Sequence, residues 1–260
     1  MARIICVANG KGGVNKTTTT VNLGYELAKK GFRVLFVDFD SQSDLSKYFT
    51  AMDSEFYIGD VLLDHKFDIQ KAIYPAIIKG DEMPNLFIIP GRTRDVMTKL
   101  DMDMVSLQRR EQRLEMQLKK VADDYDFVIC DTPPTANTLV MNAVNAADEF
   151  IIPTEFKSNS LDGIDTVLDH IQEVKFCEED EINFLVVPSK IDKRAKKSLS
   201  YGIEYCAERF PDNMAKTTIW QRTDFTDAEF RSLPCSVANP ASEAAMYYKN
   251  LANEVINNVA

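Results

Sequence analysis

The stretch Gly10-Lys11-Gly12-Gly13-Val14-Asn15-Lys16-Thr17-Thr18, directly after the apolar run Arg3-Ile4-Ile5-Cys6-Val7-Ala8, restricts this chain more than any other feature. A buried strand that feeds a glycine-rich turn into a helix start makes a phosphate cradle. The glycines let backbone N–H groups close around phosphate oxygens, and the helix N-terminus adds a favourable dipole. Lys16 then reaches the terminal phosphates, and the Thr17 hydroxyl holds a magnesium ion. The following residues, Thr17 through Ala28, carry a helical pattern towards a stop at Gly31. Two details are unusual. Lys11 is a second lysine at the start of the loop, and Asn15 stands where the pattern has its last glycine. Asparagine tolerates the left-handed conformation better than other non-glycine residues. Asn15 is therefore expected to fold into the loop with modest strain while crowding the β-phosphate, which weakens nucleotide binding or slows hydrolysis.

Strand-like runs recur at 3–8, 33–39, 86–90, 126–131, 149–154 and 182–188, and helical patterns at 17–30, 107–122, 137–147, 161–174, 196–209 and 241–259. That alternation predicts an α/β fold: a doubly wound, mostly parallel sheet with helices on both faces. Its strands are continuous apolar runs, as burial on both faces requires. No repeat or linker divides the chain, which reads as one domain over 1–260. Residues 50–103 are the least regular, with short helices expected around Ile58–Leu63 and Ile69–Ile73.

Ligands in such sheets collect at the carboxyl ends of the strands. Two further acidic strand ends fall there. Val34-Leu35-Phe36-Val37 leads into Asp38-Phe39-Asp40, and alternation is expected to put both carboxylates on one side of the strand. Phe127-Val128-Ile129-Cys130 leads into Asp131 and then Thr132-Pro133-Pro134, whose prolines stop the strand. Beside a phosphate loop such carboxylates organise magnesium and position an attacking water.

Composition narrows the alternatives. A net charge of -10 argues against nonspecific coating of DNA or anionic membrane, although a local basic patch remains compatible with it. The five cysteines are widely spaced with no Cys-x-x-Cys pair, and Cys6 and Cys130 lie in predicted strands, so buried thiols are expected rather than disulfides or metal ligands. No signal peptide is visible, and no apolar run approaches the roughly 18 residues of a membrane span. A cytoplasmic protein is the default expectation.

Taken together these residues resemble the ParA/Soj branch of the ParA–MinD superfamily of deviant-Walker ATPases. Lys11 to Thr18, Val37 to Gln42 and Asp131 to Pro134 carry the resemblance. It continues through Asn142 to Pro153, Ser160-Leu161-Asp162-Gly163 and the C-terminal stretch Leu251 to Val255. The resemblance implies a P-loop ATP hydrolase that uses ATP and Mg2+. Gly10 to Thr18 hold the nucleotide. Lys11 corresponds to the signature lysine, reaching the partner's nucleotide across a sandwich homodimer, and Lys16 to the phosphate-binding lysine. Thr17 corresponds to the magnesium ligand and Asp40 to the carboxylate that positions the hydrolytic water. Asp38 and Asp131 have supporting metal-site roles.

The resemblance also implies nonspecific DNA binding by the ATP-bound dimer, a ParB-like activator, nucleoid association and a role in plasmid or chromosome segregation. Lys193, Arg194, Lys196 and Lys197 stand where such relatives carry DNA-contacting cations. Further on, Ile219 to Ala228 resembles another basic segment, but Asp224 replaces an arginine and Trp220 a proline, so Arg222 is the residue expected to substitute in part. Two other readings compete. A nucleotide-gated scaffold without turnover draws on Asn15. A MinD-like membrane positioning protein would want a basic, bulky amphipathic end, and Leu251 to Ala260 has no basic residue. Because the first strand begins at residue 3, sequence-specific operator binding is not expected. Ser189-Lys190-Ile191-Asp192 follows a strand where P-loop proteins often grip the base.

Overall fold

The computed structural model describes residues 1–258. Its first half runs β1 (Arg3–Val7), α1 (Lys16–Lys29), β2 (Val34–Asp38), α2 (Asp44–Tyr48), α3 (Ile58–Leu63), β3 (Tyr74–Ile78), β4 (Asp81–Ile89), α4 (Arg94–Val105) and α5 (Arg113–Leu118). There follow β5 (Phe127–Asp131), α6 (Thr138–Ala146), β6 (Glu149–Thr154), α7 (Ser158–Lys175), β7 (Phe184–Ile191), α8 (Lys196–Arg209), β8 (Ile219–Trp220), α9 (Thr223–Phe230), α10 (Cys235–Ala238) and α11 (Glu243–Asn257).

The strands form one eight-stranded sheet in the order β3-β4-β2-β5-β1-β6-β7-β8. Every pairing is parallel except β3 with β4, a hairpin closed at Lys79 and Gly80, both at positive φ. That two-residue turn matches the twist of the flanking strands. Pro153 sits in β6, yet costs no ladder bond to β1, whose pairing with β6 ends at Ile151.

Period-two alternation sends successive side chains into two cores. Ile5, Val7, Val34, Phe36 and Ile129 meet α1, α2 and α11 on one face. Cys6, Leu35, Val37, Val128 and Cys130 meet α3 to α8 on the other. Cys6 and Cys130 are register neighbours on β1 and β5, both buried and free. Burial pushes the Cys6 thiol up to about 12, which keeps it protonated and inert. Helix α1 lies unusually close to the sheet because Gly24 has no side chain. A Cβ there would stand 2.2 Å from the Phe36 ring.

Several expected boundaries move. The helix expected over 107–122 is only α5 with a short 3-10 turn before it, and α4 precedes it in a region expected to be irregular. The strand expected over 182–188 begins at Phe184 and continues to Ile191. Strands β3 and β8 and helices α2, α9 and α10 were not anticipated. The C-terminal helix ends at Asn257, and its expected limit at Val259 lies outside the described residues. Its apolar stripe packs on α1, where Thr19 Oγ1 and Tyr248 Oη are 3.3 Å apart. Among the described residues no helix is long and apolar enough to cross a membrane.

Candidate active site

The loops leaving the carboxyl ends of β1, β2, β5 and β7 converge on one cleft. Gly12, Gly13, Asn15, Lys16, Thr17 and Thr18 form its floor. Asp40, Ser41, Gln42 and Arg94 stand towards β2, Pro133 and Pro134 follow β5, Lys190 stands on the β7 side, and Glu229 of α9 stands near Thr17, Thr18 and Asp44 of α2. The cleft measures about 480 Å³, enough for a nucleotide-sized ligand.

The loop takes the shape its glycines and asparagine allow. Gly13 has φ 78°, and Asn15, at φ 69° and ψ 33°, occupies the left-handed region directly before α1. Its carbonyl accepts the Thr19 N–H at 2.9 Å, so the helix starts normally behind it. Asn9 braces the other end. Its Nδ2 donates to Pro153 O at 2.9 Å, and its Oδ1 accepts the Lys11 N–H at 2.9 Å. Gly163 of α7 permits this: a Cβ there would sit 2.9 Å from Asn9 Oδ1 and 3.2 Å from Lys11 Cγ. The Lys11 side chain is exposed and makes no hydrogen bond or ion pair among the described residues.

Lys16 is buried and donates to the carbonyls of Asn9 (3.3 Å) and Lys11 (3.0 Å). Burial lowers its pKa, while Asp131 and Asp40 pull the other way. The Thr17 hydroxyl donates to Asp131 Oδ2 at 2.7 Å, and the Thr20 hydroxyl to Oδ1 at 3.1 Å. Asp131 is buried, and desolvation, with the Asp38 charge next, raises its pKa to about 8. A carboxylate that dry, touching a helix-start threonine, is poised for a cation. Magnesium suits this set, since it takes one or two carboxylates, a hydroxyl and phosphate oxygens rather than an all-protein cage. Among the described residues no cluster of three or more His, Cys, Asp or Glu is arranged as a metal cage.

Asp38 and Asp40 part company, against the expectation from alternation. Strand β2 stops at Asp38, so the period-two rule does not carry on to Asp40. Asp38 is fully buried, accepting Ser46 N–H (2.9 Å) and Ser46 Oγ–H (2.6 Å) on Oδ2 and the Asp40 N–H (3.1 Å) on Oδ1. It anchors α2 behind the cleft, and burial raises its pKa to about 7. Asp40 turns into the cleft, its Oδ1 accepting the Gln42 N–H at 2.8 Å. Val14 is buried with its side chain out of the cleft, and Gly10 lines a smaller neighbouring cavity with Pro133 and His170.

The basic segment is partly spent inside the molecule. Lys193 lies 4.8 Å from the Trp220 ring centroid, and Arg194 pairs with Asp192 at 3.0 Å. Lys196 and Lys197 are exposed in the first turn of α8, which holds no acidic residue. Arg222, expected to substitute for a DNA-contacting arginine, is instead paired with Glu243 at the start of α11. Sequence reasoning missed Asn9, Arg94 and Glu229. Arg94 follows a strand end, Leu86 to Pro90, the one signal that pointed to the cleft.

The chain is similar to known proteins over most of its length. The family model AAA_31, described as an AAA domain, matches residues 2–184. The sporulation initiation inhibitor protein Soj of Bacillus subtilis (strain 168) is 33% identical over 261 residues, covering 99% of this chain and 100% of that one. The chromosome-partitioning ATPase Soj of Treponema pallidum (strain Nichols) is 28% identical over 256 residues, with 98% of each chain covered. Cobyrinic acid a,c-diamide synthase from Mycobacterium smegmatis, solved with bound ADP and magnesium, is similar with a TM-score of 0.79 and 25% identity, over 98% of this chain and 94% of that one.

Proposed function

Because the chain belongs to the ParA/Soj family of P-loop ATPases, we propose that it hydrolyses ATP with Mg2+ and closes into a sandwich dimer while ATP is bound. The dimer holds DNA nonspecifically, and a ParB-like partner triggers hydrolysis and release, so the cycle moves a plasmid or chromosome. In this reading the amides of Gly10 to Thr18 cradle the phosphates, and Lys16 exchanges its two loop carbonyls for phosphate oxygens. Thr17 and Asp131 would hold Mg2+, which would supply positive charge to neutralise the phosphates. Asp38 supports them from behind by fixing α2. Asp40 orients the attacking water, a role in which placement matters more than basicity.

The observation that carries the proposal is Lys11. Its backbone N–H is held by Asn9 in space that Gly163 leaves open, yet its ammonium finds no partner among the described residues. A braced loop that presents a free cation beside a phosphate cleft suits a charge supplied in trans, as an arginine finger supplies one elsewhere. Sedimentation with ATP tests it. Wild type is expected to dimerise with ATP and not with ADP, and Lys11→Ala to remain monomeric. Equal dimerisation of Lys11→Ala and wild type would overturn the role.

For DNA, Lys196 and Lys197 at the N-terminus of α8 support the reading best. Cations in a first turn oppose the helix dipole, so they cost stability there unless an anion joins them. Lys193 and Arg194 flank them. Lys196→Ala with Lys197→Ala is expected to weaken DNA binding uniformly across sequences and to lower the salt slope by about two.

A further inference from the structure

Lys190 lies at the end of β7, two strands away from the phosphate loop, yet its Nζ donates to Gly13 O at 3.3 Å. We propose that Lys190 is a positioning residue that holds the nucleotide loop in its binding shape. The proposal rests on the reading of that loop as the phosphate cradle.

A backbone bulge, its left-handed conformation and an acidic neighbour bring the side chain there. Pairing of β7 with β8 shifts register between Ser189 and Ile191, leaving Lys190 as an extra residue. Such a bulge re-aims one side chain out of the strand's alternation. Lys190 itself has φ 58°, a left-handed conformation that a lysine adopts only when the surrounding structure imposes it. Beyond the loop, Glu155 is nearly buried and stands 3.9 Å from the same ammonium, with Lys157 as its other partner. Lys190 thus forms the wall between the nucleotide cleft and a second cavity of about 300 Å³ that includes Glu155, Ile191 and Gln221.

The chemistry follows from how a phosphate loop works. Its N–H groups must point inward, which turns carbonyl oxygens outward at the left-handed residues. A cation on the outward Gly13 carbonyl stabilises that orientation before any ligand arrives. The contact is made to the loop's own backbone rather than to the transferred phosphoryl group, so it changes little between bound substrate and transition state. It therefore contributes uniform binding, which acts on KM rather than kcat.

The test uses full-length protein, ADP calorimetry and steady-state ATP hydrolysis. Lys190→Met is expected to raise both the ADP Kd and the ATP KM about fivefold, the effect of losing a half-exposed charge-assisted hydrogen bond, with kcat within about twofold of wild type. Lys190→Arg is expected to restore most of the loss. Lys190→Gly separates function from folding: it relieves the positive φ, so its Tm should equal or exceed wild type while nucleotide affinity falls as in Lys190→Met. Wild-type affinity in Lys190→Met and Lys190→Gly would overturn the proposal. So would a fall in kcat at constant KM, or a loss of affinity that tracks Tm across the variants. Lys16→Ala is the control, expected to abolish ADP binding. If it bound ADP normally, the cradle reading itself would fail, and this proposal with it.

Discussion

Asn15 shows how one residue can keep a loop's shape while altering its chemistry. It occupies the left-handed conformation that the pattern's glycine would occupy, at φ 69°, and α1 begins undisturbed behind it. Asn15→Gly is expected to stabilise the protein by up to about 1 kcal/mol by removing the left-handed penalty, and to tighten ATP binding or speed hydrolysis by clearing the β-phosphate. Calorimetry and turnover measured beside Tm decide it, and identical affinities and rates would remove Asn15 from the functional account. His170 makes a second residue-scale prediction. Its Nε2 is buried without a hydrogen-bond partner among the described residues, and burial lowers its pKa, with Glu173 opposing. The folded state therefore prefers the neutral ring, and the unfolded chain binds more protons below about pH 6.5. Stability should fall as pH drops through that value, and His170→Gln should flatten this part of the profile in urea titrations at pH 7 and 5.

At the scale of elements, the sheet rests on close approaches as much as on apolar area. Gly24→Ala would drive a methyl into the Phe36 ring and lift α1 from β2, an overpacking expected to cost about 1–3 kcal/mol in urea unfolding. Legibility from sequence followed the same physics. Strands β1, β2, β5 and β6 are built on apolar runs buried on both faces, so pattern alone locates them within a residue or two. Strand β3 is a half-exposed edge containing Pro75, and β8 has two residues, too few for any periodicity. Helix α4 mixes Met with Asp and Lys and buries only Met97, Leu100 and Met104, a stripe too thin to read. In the site, Thr17, Asp131 and Asp40 were legible because strand ends and a helix start announce themselves. The separation of Asp38 from Asp40 was not, because it depends on where β2 stops and on Ser46 arriving from α2. From sequence, Lys190 belongs to a possible base grip and to the start of the basic segment that runs to Lys197. Its contact with Gly13 depends on a bulge that no local pattern shows.

For the whole molecule, the net charge of -10 and the cluster of Lys193, Arg194, Lys196 and Lys197 pull in opposite directions. One protomer is expected to be a poor ligand for DNA. In the proposed dimer two protomers joined over ATP would present two basic clusters, and a second site on the same DNA would raise affinity through effective concentration. DNA binding would then report the nucleotide state, which is the central claim of the proposed cycle. The most direct measurement is therefore binding of duplex DNA of unrelated sequences without nucleotide, with ADP and with ATP, for wild type and Lys16→Ala. The account predicts binding only with ATP, indifferent to sequence and lost in Lys16→Ala. Binding that is the same in all three nucleotide states, or absent with ATP, would contradict it.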